Sequence, residues 1–156
     1  MTCLSKEFAD FIQQGVAAAA SSCNAELLPS MARVVACRVA ADQRITILLS
    51  RNLNPVFIQD ALTQQKIAVV FCLPSSERAI QIKGGAIRQE SVLPTDWVLV
   101  QQHEQDFADQ ITPKGYPREF ATIYHHIVES NLYALSFVAN GVFEQTPGPQ
   151  AGQCLV

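Results

Sequence analysis

The sequence predicts a mainly β domain with flanking helices, in which neighbouring strands form an antiparallel sheet or barrel. Short apolar runs rich in β-branched residues recur along the chain, and turn residues separate several of them. Neighbouring strands joined by short turns favour this arrangement over a parallel βαβ one. With 156 residues, 49% of them hydrophobic, the chain can bury one sizeable core, so we expect a single domain over residues 1–156.

The N-terminal region predicts a helix and then an ambiguous segment. A helix is expected from about Ser5 to Gln14, because Phe8, Phe11 and Ile12 share one face at helical spacing. The next segment, Val16–Cys23, contains a run of alanines, which favours helix. We assign it as a strand, chiefly because of the family resemblance described below.

Two strands joined by a tight turn are expected next. Ala32–Ala40 follows a proline and is rich in β-branched residues, so we interpret it as one strand. Arg44–Ser50 alternates, with Ile45 and Ile47 on one face. Asp42-Gln43 lies between these segments and predicts the turn of a hairpin.

The middle of the chain predicts a helix and two further strands. Asn54 is expected to cap a helix that starts at Pro55. Ile67–Leu73 is a continuous apolar run, typical of a strand that is buried on both faces. Ala79–Arg88 is the next strand, and its Gly84-Gly85 pair indicates a bulge or a close approach of another backbone.

The C-terminal half predicts two helices and a last strand. One helix is expected from Thr95, as its cap, to about Ile111. An apolar stripe at helical spacing indicates a second helix; its members are Phe120, Ile123, Tyr124, Ile127 and Val128. The last strand is Leu132–Glu144, and we expect a bulge at Asn140-Gly141 because no partner strand is evident after it.

Charge and composition exclude several functional classes. The net charge is −3 and no Lys/Arg cluster is present, so no nucleic-acid partner is expected. No signal peptide is recognisable, and the apolar stretch Val16–Ala20 is far shorter than the roughly 20 residues that span a bilayer. The cysteines lack the spacing of disulfide frameworks and zinc sites; they are Cys3, Cys23, Cys37, Cys72 and Cys154. We therefore expect a cytoplasmic protein with unpaired thiols and no membrane partner.

Familiar catalytic motifs are missing from the sequence, including GxSxG, the Walker loop and HExxH. His125 and His126 are adjacent, and neighbouring helical side chains point about 100° apart, so they are poorly placed to share a metal ion. His103 belongs to a polar helix face. We expect all three histidines to be exposed or to cap a helix.

Polar and basic residues collect on the predicted strands and at their ends. Guanidinium groups bind phosphate bidentately, and serine hydroxyls add short donors, so such a set suits a phosphate ester. The candidate binding residues are Arg33, Arg38, Ser50, Arg51, Ser75, Ser76, Arg78, Gln81 and Lys83. From the residues alone, plain solvation of these side chains is the stronger interpretation, because arginines at strand ends are commonly just solvated.

These segments resemble the pyridoxamine 5′-phosphate oxidase-like split barrels, a family of flavin-binding homodimers. Arg33–Arg38 resembles the family's strand of an arginine, four largely apolar residues and a basic residue. Ser50-Arg51 resembles its Ser-Arg-Lys phosphate-binding turn, and Glu77–Gly84 resembles the strand whose glycine lies alongside the flavin. Gln145-Thr146-Pro147-Gly148-Pro149 is similar to a tail in a poorly characterised branch of the family.

The resemblance implies a six-stranded antiparallel split β-barrel that works as a homodimer, with FMN in a cleft between two subunits. The arginines and serines would hold the phosphate, and the flavin would transfer electrons in an oxidoreductase that needs no acid–base dyad. Asn52 stands where the oxidases carry a phosphate-binding lysine, and Ala79 replaces a glutamine that Gln81 could supply instead. Residues 148–156 include no basic residue, so oxidation of vitamin B6 itself is not expected.

Two alternatives accompany this hypothesis. The chain could be a non-catalytic dimeric binding protein that kept the barrel and lost the flavin, which Asn52 and Ala79 favour. It could instead handle haem, in which case His125 or His126 would be the iron ligand.

Strand geometry also constrains the candidate set. Arg33 and Arg38 are an odd number of residues apart, and so are Arg78 and Gln81. On a regular strand the two members of each pair would face opposite sides. A bulge or a loop position would be needed for both members to reach one ligand.

Overall fold

The computed structural model describes residues 4–156, and Cys3 lies outside that range. The strands are β1 (Ala17–Cys23), β2 (Pro29–Val34), β3 (Ala36–Val39), β4 (Ile45–Ser50), β5 (Ile67–Leu73), β6 (Arg78–Glu90) and β7 (Leu132–Glu144). The α-helices are α1 (Lys6–Ile12), α2 (Pro55–Gln64), α3 (Pro94–Ile111) and α4 (Glu119–Tyr124). Short 3₁₀ turns at Thr112–Lys114 and Glu129–Asn131 flank α4.

The strands form one antiparallel sheet of seven strands in the order β2-β1-β5-β6-β7-β4-β3. The two edge strands, β2 and β3, are separated by Val35 alone, so both edges of the sheet must lie close together. The sheet therefore curls into a half-closed barrel, and the prediction of an antiparallel split barrel is confirmed. The predicted count of six strands is wrong by one, because Ala32–Ala40 breaks at Val35 into β2 and β3.

The main core lies inside the curl. Ile45 and Ile47 share one face, as predicted, and that face points into this core. The helices α1 and α2 add their apolar faces, including Phe11 and Phe57. On the other face of β4, Leu48 packs beneath α3 in a second apolar cluster. Consequently β4 is buried on both sides, whereas alternating residues of β5 are only half-buried, so the predicted burial of both β5 faces does not hold within one chain.

Two helix caps differ from the sequence interpretation. The Asn54 side chain caps no N–H group; its Nδ2 donates to the Ser50 carbonyl over 2.8 Å. The cap of α3 is Leu93 rather than Thr95, because Pro94 takes the first helical position and the Asp96 carboxylate accepts from the Leu93 N–H.

The predicted apolar stripe of the last helix is also wrong. The helix α4 ends at Tyr124, so Ile127 and Val128 lie beyond it, and Ile123 points into solvent. Its buried positions are Ala121 and, at the C-cap, His125. Helical spacing was present in this segment, but its apolar side chains do not form the buried face.

Both predicted bulges occur where β6 pairs with β7. The register shifts between Lys83 and Gly84, opposite the extra residue Asn140, and again between Gly85 and Arg88. The chain does return after β7, contrary to expectation: a bridge joins Phe143 to Cys154. No helix of the described residues is long and apolar enough to cross a membrane, and the four cysteines described are unpaired.

Candidate functional site

A cavity of about 300 Å³ lies where β2, the end of β4 and α4 meet, and it brings Arg33 and Ser50 together. We call it the Arg33 cavity. Its lining residues are Arg33, Val35, Ser50, Leu53, Asn54, Ile123, Tyr124 and His126. One cation and three further polar side chains thus face an otherwise apolar wall, which is the usual composition of a small-molecule site.

The turn after β4 positions the polar end of this cavity. Ser50 is the last residue of β4, and its carbonyl accepts from Asn54, which fixes the turn into α2. Arg51 follows immediately, with its backbone N–H bound to the Asn131 carbonyl over 2.8 Å. The Arg51 guanidinium lies 5.2 Å from the Tyr133 ring and has no carboxylate partner among residues 4–156, so its charge is available to a ligand.

Arg33 is already engaged with α4. Its Nη1 donates to the backbone carbonyl of Tyr124 over 2.9 Å, and its guanidinium carbon lies 4.0 Å from the centroid of the Tyr124 ring. Arg33 and Tyr124 also line a second cavity, of about 210 Å³, together with Ala19 and Met31. The Arg33–Tyr124 contact is therefore shared by both cavities.

Arg38 lies on the same side of the sheet as Arg33, contrary to regular strand parity. The break at Val35 supplies the irregularity, because Val35 and Ala36 both belong to the cluster beneath α3. The charge of Arg38 is nevertheless matched: its Nε lies 2.8 Å from Oδ1 of Asp96, which is buried. Arg38 does not line the Arg33 cavity.

The residues at the start of β6 form a separate group. Arg78 pairs with Glu7 over 2.6 Å and stacks 4.9 Å from the Phe11 ring. The Ser76 hydroxyl accepts from the Arg78 N–H over 3.3 Å, and the Ser75 hydroxyl donates to Gln110. The structure thus places Ser75, Ser76 and Arg78 beside α1 and α3, away from the Arg33 cavity.

Arg78 also lines a cavity of about 430 Å³ with the C-terminal tail. The tail is pinned there because the Ala79 N–H donates to the Thr146 hydroxyl over 3.0 Å. Thr146 also hydrogen-bonds the Glu144 side chain, which lowers the pKa of that carboxyl. Glu144 lines the same cavity as Arg78, and Arg78 is already paired with Glu7, so this space is not a cationic site for phosphate.

Gln81 lies on the outer face of the curled sheet, in one row with Arg33. Strand register places Arg33 opposite Ala19, Ala19 opposite Val70, and Val70 opposite Gln81. The row spans three strand spacings, or roughly 14 Å. Lys83 belongs to the same face and lies 4.5 Å from the Phe143 ring. Arg78, by contrast, turns toward α1, so Arg78 and Gln81 do not share a face.

The histidines are placed differently from the expectation. His103 is buried, and its Nε2 lies 2.9 Å from the Val16 carbonyl. His125 is only 1% exposed, and its ring packs edge-on against Phe107 at 4.6 Å. His126 alone of the three lines the Arg33 cavity. A buried His125 offers no nitrogen to a haem at the surface.

The sequence analysis did not identify three residues at or near the site. These are Asn54 as a lining residue of the cavity, Asp96 as the partner of Arg38, and Tyr124 as the partner of Arg33. Asn54 carries a local signal, an asparagine before proline, but that signal predicts a helix cap. Asp96 and Tyr124 lie 58 and 91 residues from the arginines they bind. No local pattern identifies such partners.

Comparison with known proteins supports the fold. No protein-family model matches this sequence, and no curated protein matches it either. Among solved structures, HupZ of Group A Streptococcus aligns with a TM-score of 0.53 at 14% identity, covering 96% of this chain and all of that one (100%). An F420 reductase gives a TM-score of 0.51 at 6% identity, covering 89% of this chain and 98% of that one. A candidate pyridoxamine 5′-phosphate oxidase from Listeria innocua gives 0.50 at 10% identity, covering 90% and 96%.

Proposed function

We propose that this chain, a split β-barrel of the kind found in pyridoxamine 5′-phosphate oxidase-like proteins, binds FMN and serves a flavin-dependent oxidoreductase reaction. The observation that carries the proposal is the Arg33 cavity. It joins a guanidinium, the Ser50 hydroxyl and the Asn54 amide to an apolar wall. That combination suits a ligand with a phosphoryl head and a flat apolar body.

The residues of the cavity fit one end of FMN. Arg33 and Ser50 would hold the phosphate. Arg51, which follows Ser50 in the chain but does not line the cavity, would supply a second cation. Val35, Leu53 and the Tyr124 ring supply apolar contacts. A volume of about 300 Å³ lies at the lower end of the range for ligand sites, so a single chain encloses only part of such a ligand.

A second copy of the chain would complete the site. The outer face of β1 and β5 carries small or apolar side chains that are only half-buried; these are Ala19, Ala68, Val70 and Cys72. Arg33 borders this face, in the row that contains Ala19 and Val70. Packing two such faces together would form a homodimer and place the open side of each Arg33 cavity beside the partner subunit.

Bound FMN would supply the electron transfer, while this chain's residues bind and orient it. Arg33 and Arg51 would neutralise the phosphate charge, and the apolar side chains would exclude water from the flavin. Gln81 lies on the outer face in the row of Arg33 and could donate to a polar edge of the ring. Vitamin B6 is not the proposed substrate, since residues 148–156 are without a basic side chain.

A second candidate is a dimeric binding protein that has kept the barrel without the flavin. The ion pairs of Arg38 with Asp96 and of Arg78 with Glu7 favour it, because two of the expected phosphate ligands are matched by carboxylates of the same chain. Under this candidate the outer face would still pair with a second copy, but FMN would not be taken up.

Titration with FMN tests the proposal. Purified protein is mixed with FMN, and binding is followed by quenching of flavin fluorescence. Arg33→Ala and Arg51→Ala should each weaken binding by about tenfold or more, the usual loss for a charge-assisted phosphate contact. Arg88→Ala is the matched control, because it removes an exposed arginine remote from the cavity lining. Absence of FMN uptake, or equal affinity of all three variants and the parent, would contradict the proposal; absence of uptake by a stable dimer supports the second candidate.

A further inference from the structure

The cavity between the start of β6 and the C-terminal tail is not used by the proposed function. It measures about 430 Å³ and is lined by Arg78, Glu144 and residues 146–150; we call it the tail cavity. Its volume lies within the usual range of small-molecule sites. Two opposite charges and the rings of Pro147 and Pro149 face the same space. The tail cavity therefore has the size and the mixed chemistry of a separate ligand site.

The tail forms a closed loop beside this cavity. At its start, the Gln145 N–H donates to the Ala79 carbonyl over 2.9 Å. At its end, the Gly152 N–H donates to the Glu144 carbonyl over 2.7 Å, and the Glu144 N–H donates to the Gln153 carbonyl over 2.9 Å. Compact surface loops whose ends lie close together are frequently functional. Hydrogen bonds at both ends hold this wall of the cavity in place before a ligand binds.

Arg78 is the cation of the tail cavity, and its position is fixed by two neighbours. Its Nη2 lies 2.6 Å from Oε1 of Glu7, and its guanidinium carbon lies 4.9 Å from the centroid of the Phe11 ring. A guanidinium has several N–H donors, and the bond to Glu7 uses one of them. The remaining donors can bind a carboxylate placed in the cavity.

Glu144 is the anion of the tail cavity, and it is oriented by the tail itself. The Thr146 N–H donates to Oε1 of Glu144 over 2.8 Å. Hydrogen bonds from Thr146 lower the pKa of Glu144, and the charge of Arg78 contributes less to the same lowering. Glu144 is therefore ionised at neutral pH. Since a carboxylate accepts several hydrogen bonds, it can also accept from an ammonium group.

The two charges line one cavity but do not pair with each other: no ion pair within residues 4–156 joins Arg78 to Glu144. A ligand with only a carboxylate would be repelled by Glu144, and a ligand with only an ammonium group would be repelled by Arg78. A molecule that carries both charges matches both residues at once.

From this juxtaposition we infer that the tail cavity binds a small zwitterion, a free α-amino acid, with its carboxylate on Arg78 and its ammonium group on Glu144. Pro147 and Pro149 would contact the side chain of the amino acid. The inference goes beyond the proposed function and does not depend on it, because the tail cavity and the Arg33 cavity share no lining residue.

A first experiment identifies the amino acid. The standard amino acids are added one at a time at millimolar concentration, and thermal unfolding of the full chain is recorded. At least one should raise the unfolding midpoint, because a ligand that binds only the folded state stabilises it. Isothermal titration calorimetry then gives its affinity. If none raises the midpoint or releases heat of binding, the inference is overturned.

A second experiment removes the ligand charges one at a time. The methyl ester of the bound amino acid lacks the negative charge, and its N-acetyl derivative lacks the positive charge. Each should bind at least about tenfold more weakly than the amino acid, because one charged group of the protein then loses its partner. Equal binding of either derivative would overturn the two-charge site.

A third experiment removes the protein charges. Arg78→Gln and Glu144→Gln should each weaken binding by about tenfold or more, and the amide oxygen of the second variant can still accept from Thr146. Arg88→Gln is the matched control, because Arg88 does not line the tail cavity, and it should bind like the parent. Unchanged affinity in both cavity variants would overturn the assignment.

The outcome is separable from that of the flavin proposal. Glu144→Gln should bind FMN like the parent protein, because Glu144 does not line the Arg33 cavity. Amino-acid binding without FMN uptake would contradict the proposed function and support the tail cavity. FMN uptake without amino-acid binding would do the reverse.

Discussion

The Nε of Arg38 lies 2.8 Å from Oδ1 of Asp96, and the other carboxylate oxygen of Asp96 accepts from the Leu93 N–H over 2.8 Å. One buried carboxylate thus ties β3 to α3 and caps that helix at the same time. Because Asp96 is 1% exposed, the ion pair is shielded from solvent on the acidic side. This bond also explains why Arg38 stays outside the Arg33 cavity.

Replacing Asp96 should therefore cost stability on two counts. Asp96→Ala loses the cap and leaves Arg38 without its partner, and we expect a loss of about 2–4 kcal/mol in the free energy of unfolding. Urea denaturation followed by circular dichroism measures this. Asp109→Ala is the control, because Asp109 pairs with Arg118 on the surface and should cost at most about 1 kcal/mol. Equal losses of stability in the two variants would show that the buried Asp96–Arg38 pair stabilises the protein no more than the surface pair does.

The protein should become less stable as the pH falls from about 6.5 toward 5. Burial lowers the pKa of His125 to about 4, helped by the charge of nearby His103 and, less strongly, Arg33. The Ala121 carbonyl opposes this lowering without reaching hydrogen-bond geometry. A histidine that stays neutral when folded but binds a proton when unfolded loses folding free energy below its unfolded pKa, here by about 1–2 kcal/mol at pH 5.

Unfolding of His125→Phe identifies the source of that loss. The variant should keep the aromatic packing and lack most of the difference in stability between pH 7.5 and pH 5. Burial also lowers the pKa of His103, so a smaller part of the slope should persist. The pKa values of Glu90 and Glu144 are lowered, so these carboxylates affect the pH dependence of stability only below about pH 4.5, outside this window. An unchanged slope in His125→Phe would contradict the assignment.

Gly84 should tolerate no side chain. A Cβ atom there would overlap the Phe137 ring and the Val138 carbonyl, and that ring is fully buried in the core. We expect Gly84→Ala to cost about 2–3 kcal/mol by overpacking. Gly85→Ala is the comparison, because its Cβ would lie 3.1 Å from the Gln65 carbonyl and should cost less. Thermal unfolding of both variants shows which one loses more stability. A smaller loss for Gly84→Ala than for Gly85→Ala would argue against the described bulge.

The proposed homodimer makes a separate prediction. Val70 lies in the centre of the half-buried outer face, so Val70→Glu should place a charge in the subunit contact and yield folded monomers. Sedimentation velocity at micromolar concentration distinguishes the two states. Val98→Glu is the control, because Val98 is an exposed apolar residue of α3 and should not alter assembly. A parent protein that sediments as a monomer would remove the proposed two-subunit site.

The local pattern of apolar residues in the sequence was sufficient to predict most of the strands. Ile67–Leu73 and Leu132–Glu144 end where the apolar runs end, because a strand's burial repeats every two residues and needs no knowledge of its partner. Both bulges could be predicted for the same reason, since glycine marks them locally, at Gly84-Gly85 and at Asn140-Gly141. The antiparallel barrel then follows from strands joined by short turns.

The tertiary structure alone decided which charges are free and which histidines are buried. Arg38 is matched by Asp96 because α3 crosses β3, and Arg33 meets Tyr124 because α4 packs on α3. The apolar residues of α4 have helical spacing, but a different face of the helix is buried. Which face is buried depends on the element that the helix packs against. Periodicity records which residues share a face, but contacts between residues far apart in the chain depend on how whole elements pack, which no local pattern encodes.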